Sequence, residues 1–377
     1  MRRALAGLVT LVALATTASC APDEPAPEPL SSPLPGASLT ARIADAPTVA
    51  AVADGDLWAS CWADDGALYA ANGDGNAFGS DFFDAAVSRI DGDVATALTG
   101  ETLAGGDAVG TIWSGDGFTR KPTGMLCRDG VLYLAVQDLR LDFNEAPAAT
   151  IARSSDHGRT WEWDTAAPMF GDHVFTTVFF ADHGQDSRHA PDGYVYAYGL
   201  DGNWRDSFDD SVPDPQDLYL ARVPHDAVLD RSAWEFFAGL DGGSPVWSAD
   251  IAQRAAVLHD ERRLYPSEHD FSVISQGGVV YVPQLDRYLY TSWTEYTFEF
   301  YEASAPWGPW TLFLSRDFGP YPWTTDAYGG YATTIPSKFI SEDGMTLWVQ
   351  SNVCPCAPAG MSSYYFGLRE LEVAPLG

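Results

Sequence analysis

Short apolar runs separated by polar turns follow one another along the chain after residue 39. Five of these runs pair an aliphatic with an aromatic residue directly after an Asp-led turn, where Gly, when present, readily takes the positive φ of a tight turn. The five turns begin at Asp65, Asp129, Asp192, Asp286 and Asp343. Their intervals of 64, 63, 94 and 57 residues indicate four-stranded antiparallel units with one long insertion.

This pattern predicts an all-β chain folded as a five-bladed β-propeller. The fold would be closed by a strand near residues 39–49 that pairs with the last blade, which lacks sequence for a fourth strand of its own. Aromatic residues make up 13% of the chain and glycines number 35, which suits many short strands with tight turns. A β-sandwich is the alternative fold, because such turns also recur in Gly-rich sandwiches.

The second unit indicates how the strands run within one blade. Residues 121–127, 131–136 and 150–153 are its first three predicted strands, and the turn "SSDHGRTW" closes the third onto a fourth at 161–163. Asp156 in that turn is therefore predicted to be structural. First strands share one direction, so the Asp-led turns lie at one end, and ligands are expected at the other end.

The first 38 residues are predicted to export and anchor the protein. Residues 1–19 place two arginines before a short apolar run, which is typical of a signal peptide and too short for a membrane span. "TASC" resembles a bacterial lipobox, so Cys20 is the predicted lipidation site on the outer face of a bacterial membrane. Residues 20–38 are Pro-rich and acidic, which predicts an extended tether before the folded domain, 39–377. A secretory signal with an incidental cysteine is the alternative.

The net charge of −31 limits the expected partners. Nucleic acid and anionic lipid would be repelled, so we expect a monomer that contacts the membrane through its lipid anchor alone. Cys61 and Cys127 are expected to be buried in strands, and Cys354 and Cys356 to be too close together for an easy bridge. The cysteine and histidine spacings predict no metal site, and no cofactor is expected. The sequence leaves open whether a calcium ion occupies a central channel.

Carboxylates, cations and aromatic residues are predicted to meet at the ligand-binding end. Glycoside hydrolysis needs one acid to protonate the leaving oxygen and a second carboxylate to activate water, while aromatic rings pack on sugar faces. Asp74 and Asp250 are the predicted catalytic pair, with Asp56 as the third candidate. The predicted substrate-binding residues are Lys121, Arg254, Lys338, Trp58, Trp247 and Glu295.

Each candidate also has a purely structural interpretation. Asp74 lies between two glycines, where its side chain can cap its own loop. Asp250 and Arg254 can form an ion pair in a connection between blades. Lys121 and Lys338 can be solvated at strand ends.

Five segments resemble a family of exported bacterial propellers that was long catalogued only as a domain of unknown function. They are "WADDGALYAANGDGNAFG", "KPTGMLCRDGVLYLAV", "ARSSDHGRTWEW", "LARVPHDAVLDRSAWEFFAGLDGGSPVWSADIAQRAAVL" and "YEASAPWGPWTLF". The third contains a turn similar to the Asp-box of sialidase-like propellers. The resemblance covers nearly all of the predicted domain, although "LYPSEHDFSVISQGG" departs from the family pattern.

The resemblance implies a glycoside hydrolase, because some members of the family are endo-D-arabinanases that cleave cell-wall arabinan with inversion. It also implies that five residues occupy motif positions: Asp74, Lys121, Asp250, Arg254 and Lys338.

Together the sequence and the resemblance favour a surface-anchored, inverting glycoside hydrolase of the endo-D-arabinanase type, acting on cell-wall or environmental polysaccharide. A non-catalytic glycan-binding lipoprotein is the alternative, because one fold serves many functions. A sialidase is disfavoured, since it needs a cluster of arginines around a carboxylate and a tyrosine nucleophile.

Overall fold

The computed structural model describes residues 32–376, apart from Glu268, Pro320 and 324–326. In this part of the chain the regular structure consists of β-strands and short 3-10 turns, without an α-helix, which confirms the all-β prediction. No helix there is long and apolar enough to cross a bilayer. The predicted signal peptide, Cys20 and most of the predicted tether lie outside the described residues.

Most strands pair with their neighbours in sequence as antiparallel meanders. The described chain opens with β1 (Leu39–Ile43) and β2 (Val49–Ala50). The first meander contains β3 (Asp54–Trp62), β4 (Leu68–Ala77), β5 (Phe83–Asp91) and β6 (Thr99–Gly105). The second contains β7 (Phe118–Arg128), β8 (Val131–Arg140) and β9 (Ala149–Ser154).

The third meander is the longest because it carries the predicted insertion. It contains β10 (Thr177–Asp182), β11 (Tyr194–Leu200), β12 (Asp217–Pro224), β13 (Glu235–Asp241) and β14 (Ser244–Ser248), with β15 (Ala256–His259) beside β12. A small separate ladder follows, made of β16 (Arg263–Leu264) and β17 (Phe271–Ser272). The insertion therefore adds a hairpin and short strands to an existing sheet.

The fourth meander contains β18 (Val279–Val282), β19 (Arg287–Trp293), β20 (Thr297–Ala303) and β21 (Thr311–Asp317). The last contains β22 (Tyr331–Thr334), β23 (Thr346–Asn352) and β24 (Gly367–Pro375). A short parallel pairing of β10 with β18 joins the third and fourth meanders. The 3-10 turns are Gly106–Ala108, Gln185–Ser187, Arg231–Ala233, Ile251–Gln253 and Ser337–Phe339.

The N-terminal strand completes the edge of the last meander. β1 pairs antiparallel with β24, from Leu39 opposite Pro375 to Ile43 opposite Leu371. Both strands alternate buried and more exposed positions, the pattern of a strand with one face on the core. The segment predicted to close the fold therefore does pair with the last strand.

Contacts between neighbouring sheets place the Asp-led turns at one end of the strands, the turn end. A Cβ at Gly130 would lie 3.4 Å from Asp64 Oδ2, and the Lys338 ammonium donates to Gly66 O at 2.9 Å. Arg128 donates to Asp192 O at 3.2 Å, and the Gln284 amide donates to the carbonyl of Glu342, next to the fifth turn, at 3.2 Å. These contacts agree with the single strand direction that the repeat predicts.

One local prediction differs from the structure in the second meander. The predicted fourth strand at 161–163 is reduced to one bridge between Glu162 and Arg153. The turn before it forms as expected, since the Asp156 carboxylate accepts from the backbone N–H groups of Arg159 and Thr160. Asp156 therefore stabilises its own turn.

The cysteine predictions need correction. Cys61 in β3 and Cys127 in β7 are buried, as expected, but they form a disulfide between neighbouring meanders. Cys354 and Cys356 also form a disulfide. A tight turn holds their Cα atoms 5.2 Å apart, which lies inside the range that a disulfide spans despite the short separation in sequence.

A buried carboxylate holds the start of β1. Glu302, on β20, is 3% exposed and accepts from the backbone N–H of Leu39 at 2.9 Å and from the N–H and hydroxyl of Ser38. Its charged neighbour is Arg287, whose Nε lies 3.3 Å from Glu302 Oε2. Glu302 thus links the N-terminal strand to the fourth meander.

We expect Glu302→Gln to lower the free energy of unfolding by roughly 2 kcal/mol, because hydrogen bonds to a charged acceptor lose their charge assistance. Denaturant unfolding followed by fluorescence measures the change. The matched control is Glu372→Gln on β24, whose ion pair with Arg42 is about one third exposed and should contribute less than about 1 kcal/mol. Equal losses in the two variants would contradict this role for Glu302.

Candidate active site

A cavity of about 440 Å³ collects charged side chains from four of the five meanders and their connections. Its charged lining residues are Asp56, Asp74, Lys121, Arg205 and Glu295. Asp56 is near the start of β3, and the far end of that strand leads into the Asp65 turn. The cavity therefore lies at the end of the sheets opposite the turn end, where ligand binding was predicted.

An irregular start of β3 aims Asp56 into the cavity. The register between β3 and β4 shifts on both sides of Asp56, and Leu57 and Trp58 have φ angles of 70° and 47°. A bulge of this kind redirects side chains. Gly73 lies opposite Asp56, and a Cβ at Gly73 would be 2.6 Å from Asp56 Oδ1 and 3.1 Å from Lys121 Cδ. The glycine permits this close approach.

The Asp56 carboxyl is 6% exposed and two phenols donate to it. Its Oδ2 accepts from the Tyr331 hydroxyl at 3.2 Å and from the Tyr364 hydroxyl at 3.0 Å. The pKa of Asp56 is raised to about 6, chiefly by burial; the Asp74 charge contributes to the rise, while Lys121 and both hydroxyls oppose it. Among the described residues Oδ1 has no hydrogen-bond partner.

Lys121 is the cation next to this carboxyl. It lies on β7 and is 2% exposed. Within the described chain the Asp74 carboxylate is the ion-pair partner of its ammonium group. Asp74 is about one third exposed, at a φ of 36° on β4. The pair thus has a buried cation and a carboxylate that reaches the cavity.

Glu295 provides a third carboxyl, between β19 and β20. Its φ is 69°, and its backbone carbonyl accepts from the Gly330 N–H. Burial raises the pKa of Glu295, and the charges of Arg205 and His269 only partly offset that rise. No donor in the described part of the chain makes a hydrogen bond to this carboxyl, and Arg205 Nη1 is 3.7 Å away. These surroundings favour the neutral acid.

The Arg205 guanidinium is buried among aromatic rings. Its Cζ lies 3.7 Å from the centre of the Phe208 ring and 5.2 Å from that of Trp204. Arg205 is 4% exposed, and its Nε has no hydrogen-bond partner among the described groups. Burial lowers the pKa of Arg205. A buried guanidinium with a free donor is suited to a polar ligand.

The remaining wall of the cavity is aromatic. The Tyr296 ring lies 5.4 Å from the rings of Tyr321 and Trp323 and 5.6 Å from that of Phe271. Tyr321 and Phe208 are 37% and 43% exposed. Cys354, Pro355 and Cys356 line the cavity on the side of Tyr364.

Four of the predicted site residues meet in this cavity: Asp56, Asp74, Lys121 and Glu295. Asp250, the predicted catalytic partner of Asp74, does not line the cavity. Asp250 caps the 3-10 turn Ile251–Gln253 by accepting from Ala252 N–H at 3.0 Å. Trp247 on β14 is also elsewhere, packed against Tyr196 and Phe237.

Three other predicted residues have structural positions outside the cavity. Arg254 forms an ion pair with Asp201. Lys338 lies at the turn end, because β22 has only four residues and the chain has already crossed the sheet when it reaches Lys338. Trp58 is fully buried, and its indole N–H donates to Gly55 O at 2.9 Å.

Nothing in the sequence indicated Tyr331 and Tyr364, and Arg205, expected at the ligand-binding end, was not among the predicted site residues. Each is an ordinary residue type outside any repeated motif. The other sequence signal for Arg205 is its position in the aromatic segment "NWRDSF".

One group of side chains in the described chain has the spacing of metal ligands: Asp64, Asp65 and His157. It lies at the turn end, far from the cavity along β3. Its carboxylates already have protein partners, since Asp64 contacts His157 at 2.8 Å and Asp65 accepts from Ala67 N–H and the Tyr69 hydroxyl. These contacts give the carboxylates a structural role in the turn.

Several solved structures share a distant likeness with the chain. A putative hydrolase from Bacteroides ovatus is 14% identical with a TM-score of 0.49, covering 91% of this chain and 96% of its own. A GH43_1 enzyme from Xanthomonas citri is 17% identical with a TM-score of 0.45, over 89% and 91% of the two chains. A GH43 β-xylosidase/α-arabinofuranosidase from a compost metagenome, in complex with xylotriose, is 15% identical with a TM-score of 0.46, over 89% and 95%. These values are too low to indicate an activity.

No curated protein sequence matches the chain. Residues 46–351 match a family model described as a domain of unknown function, DUF4185. The matched region runs from just before β2 into β23 and includes all five charged residues of the cavity. The protein therefore belongs to the DUF4185 family.

Proposed function

We propose that this protein is a glycoside hydrolase and that the cavity is its active site. The observation that carries the proposal is a pair of buried polar atoms in the cavity that lack hydrogen-bond partners among the described residues, Asp56 Oδ1 and Arg205 Nε, beside the ion pair of buried Lys121 with Asp74. An unpaired buried polar group costs roughly 1–3 kcal/mol, so this arrangement favours a ligand rich in hydroxyl groups.

Asp56 is the proposed general base. Two phenol hydroxyls and the nearby Lys121 ammonium favour its ionised form, and a pKa of about 6 leaves it mostly ionised at neutral pH. Water attacks the anomeric carbon as Asp56 accepts its proton. This single displacement inverts the configuration at that carbon.

Glu295 is the proposed general acid. Its burial without hydrogen-bond donors from the described chain favours the protonated form that can donate to the leaving oxygen. When the bond from the anomeric carbon to that oxygen breaks, the oxygen takes the Glu295 proton. Exchange with solvent then returns Glu295 and Asp56 to their starting protonation states. Tyr331 lies near both carboxyls, since the charges of Asp56 and Glu295 both raise its pKa.

The other charged residues orient the sugar and tune the base. Asp74 raises the pKa of Asp56, and Lys121 limits that rise. Lys121 and Arg205 supply donors for sugar hydroxyls. We propose no cofactor for this reaction, because each proton transfer has a protein group.

The finer proposals rest on the sequence and its resemblance to the family. They are a five-bladed propeller built from the five meanders, an inverting endo-D-arabinanase type of activity, and a monomer exported and anchored at the surface. A glycan-binding lipoprotein without catalysis is the second candidate. It would bind polysaccharide in the same cavity and release no reducing ends from it.

We expect Asp56→Asn and Glu295→Gln each to reduce kcat by about a hundredfold or more on the polysaccharide that the wild type cleaves, since each removes a proton-transfer group. Reducing-end release from a panel of polysaccharides, led by arabinan, identifies that substrate. Asp250→Asn is the control and should retain full activity, because Asp250 lies outside the cavity. Full activity in both cavity variants would refute the assignment, and NMR of the first-formed anomer tests inversion.

The rate is expected to fall as the pH drops below about 6, because the base is then protonated. Tyr364→Phe removes a hydroxyl that favours the ionised form, so the pKa of Asp56 rises and the acidic limb of kcat/KM moves to higher pH. Tyr365→Phe is the control, since Tyr365 does not contact Asp56 or line the cavity. Identical acidic limbs in wild type and Tyr364→Phe would remove Asp56 as the titrating base.

Anchoring is proposed from the lipobox-like sequence alone. Cys20→Ala should move the protein from the detergent fraction to the aqueous fraction of a cell lysate, because the Pro-rich tether is too polar to hold a membrane. Phase partitioning with immunodetection measures this. Continued detergent partitioning of Cys20→Ala would contradict lipid attachment at this residue.

A further inference from the structure

The cavity has two chemically different halves. Asp56, Asp74 and Lys121 lie in one half, and the other half is formed by five rings that we call the aromatic shelf: Phe208, Phe271, Tyr296, Tyr321 and Trp323. Glu295 and Tyr296 are consecutive, and the φ of 69° at Glu295 turns the chain so that both residues line the cavity. The proposed acid therefore lies at the boundary between the two halves.

Four rings of the shelf form one cluster of contacts, Phe208 approaches that cluster through His269, and the outer part of the shelf is open to solvent. Tyr296 contacts three of the other rings at centroid distances of 5.4–5.6 Å. Tyr296 and Phe271 are almost fully buried, so they support the rings outside them. Tyr321 and Phe208 remain 37% and 43% exposed at the cavity. Exposed rings on a buried aromatic base are typical of a binding surface.

Resting on the proposed function, we infer that the aromatic shelf is the leaving-group subsite and holds a further sugar residue of a neutral glycan chain. A general acid must lie between the cleaved sugar and its leaving group, and Glu295 lies between the carboxylate half and the shelf. Flat rings favour the apolar faces of sugars, and Tyr hydroxyls can meet their edges.

Charge makes a polyanionic chain a poor occupant. With Glu295 protonated, the carboxylates of Asp56 and Asp74 balance the two cations of the cavity, so no excess positive charge offsets the net charge of −31 of the whole chain. A uronic-acid polymer would approach this surface against its field. The preferred substrate is therefore an uncharged oligomer or polymer, and a glycoside with a small alkyl leaving group would leave the shelf empty.

The test measures binding, so that it does not depend on turnover. Asp56→Asn is the background, and the probes are neutral arabinofuranosyl and xylosyl oligosaccharides of one to about six residues, titrated by calorimetry. Affinity should rise with chain length in the background protein. Adding Tyr321→Ser should lower the affinity for the longer oligosaccharides about tenfold and leave the affinity for the monosaccharide unchanged. Truncating one aromatic ring at a contact typically removes somewhat more than about 1 kcal/mol of binding free energy.

Phe82→Ser is the matched control, because Phe82 is 66% exposed and lies outside the cavity. Thermal unfolding of each variant checks that the fold is intact. An unchanged length dependence in Tyr321→Ser, or no binding of any oligosaccharide by the background protein, overturns the inference. Length-dependent binding by a wild type that cleaves no glycan would support sugar binding at the aromatic shelf and refute the proposed hydrolase activity. Cleavage by the wild type, with no effect of Tyr321→Ser on binding, would support the hydrolase activity and refute the role of the shelf.

Discussion

The candidate site depends on the burial of Lys121 between two carboxylates. Without the ammonium group, Asp56 and Asp74 would repel each other in a poorly hydrated cavity, and the pKa of Asp56 would rise beyond about 6. Removing one partner of such a buried set usually costs several kcal/mol, because the remaining charge loses its compensation. The bulge in β3 and the absence of a side chain at Gly73 create the space in which the three groups meet. Backbone irregularity and electrostatics are thus coupled at this position.

The sequence predicted the fold class and the residues whose position follows from local structure. Asp-led turns are set by short-range chemistry, so the turn end could be located from spacing, and with it the ends of β3 and β7 that carry Asp56 and Lys121. Glu295 was found for the same reason, because it follows a strand whose direction was known. The failures have specific physical causes. Asp250, Arg254 and Trp247 lie in the long insertion, whose hairpin and 3-10 turn no repeat could predict.

Other errors come from contacts between residues far apart in sequence. Trp58 is two residues after Asp56, so a regular strand would point both side chains to the same face. The bulge changes the direction of the Trp58 side chain, which is buried instead. Tyr331 and Tyr364 are identified as site residues only by their hydrogen bonds to Asp56, which lies 275 and 308 positions earlier in the sequence. The disulfide between Cys61 and Cys127 likewise joins two meanders. The spacing of residues in the sequence does not reveal that these two meanders are in contact. Long-range packing decided these cases, and one sequence contains little direct information about it.

The position of β1 determines where the preceding part of the chain joins the folded domain. Leu39 pairs with Pro375, and Ser38 contacts Arg287 beside the Asp286 turn, so the described chain enters the fold at the turn end. Tyr364 and the cavity lie at the start of β24, and nine strand residues span roughly 30 Å. A lipid tether upstream of β1 would therefore join the domain at the turn end, the end opposite the cavity. Such an attachment point would leave the mouth of the cavity clear of the tether.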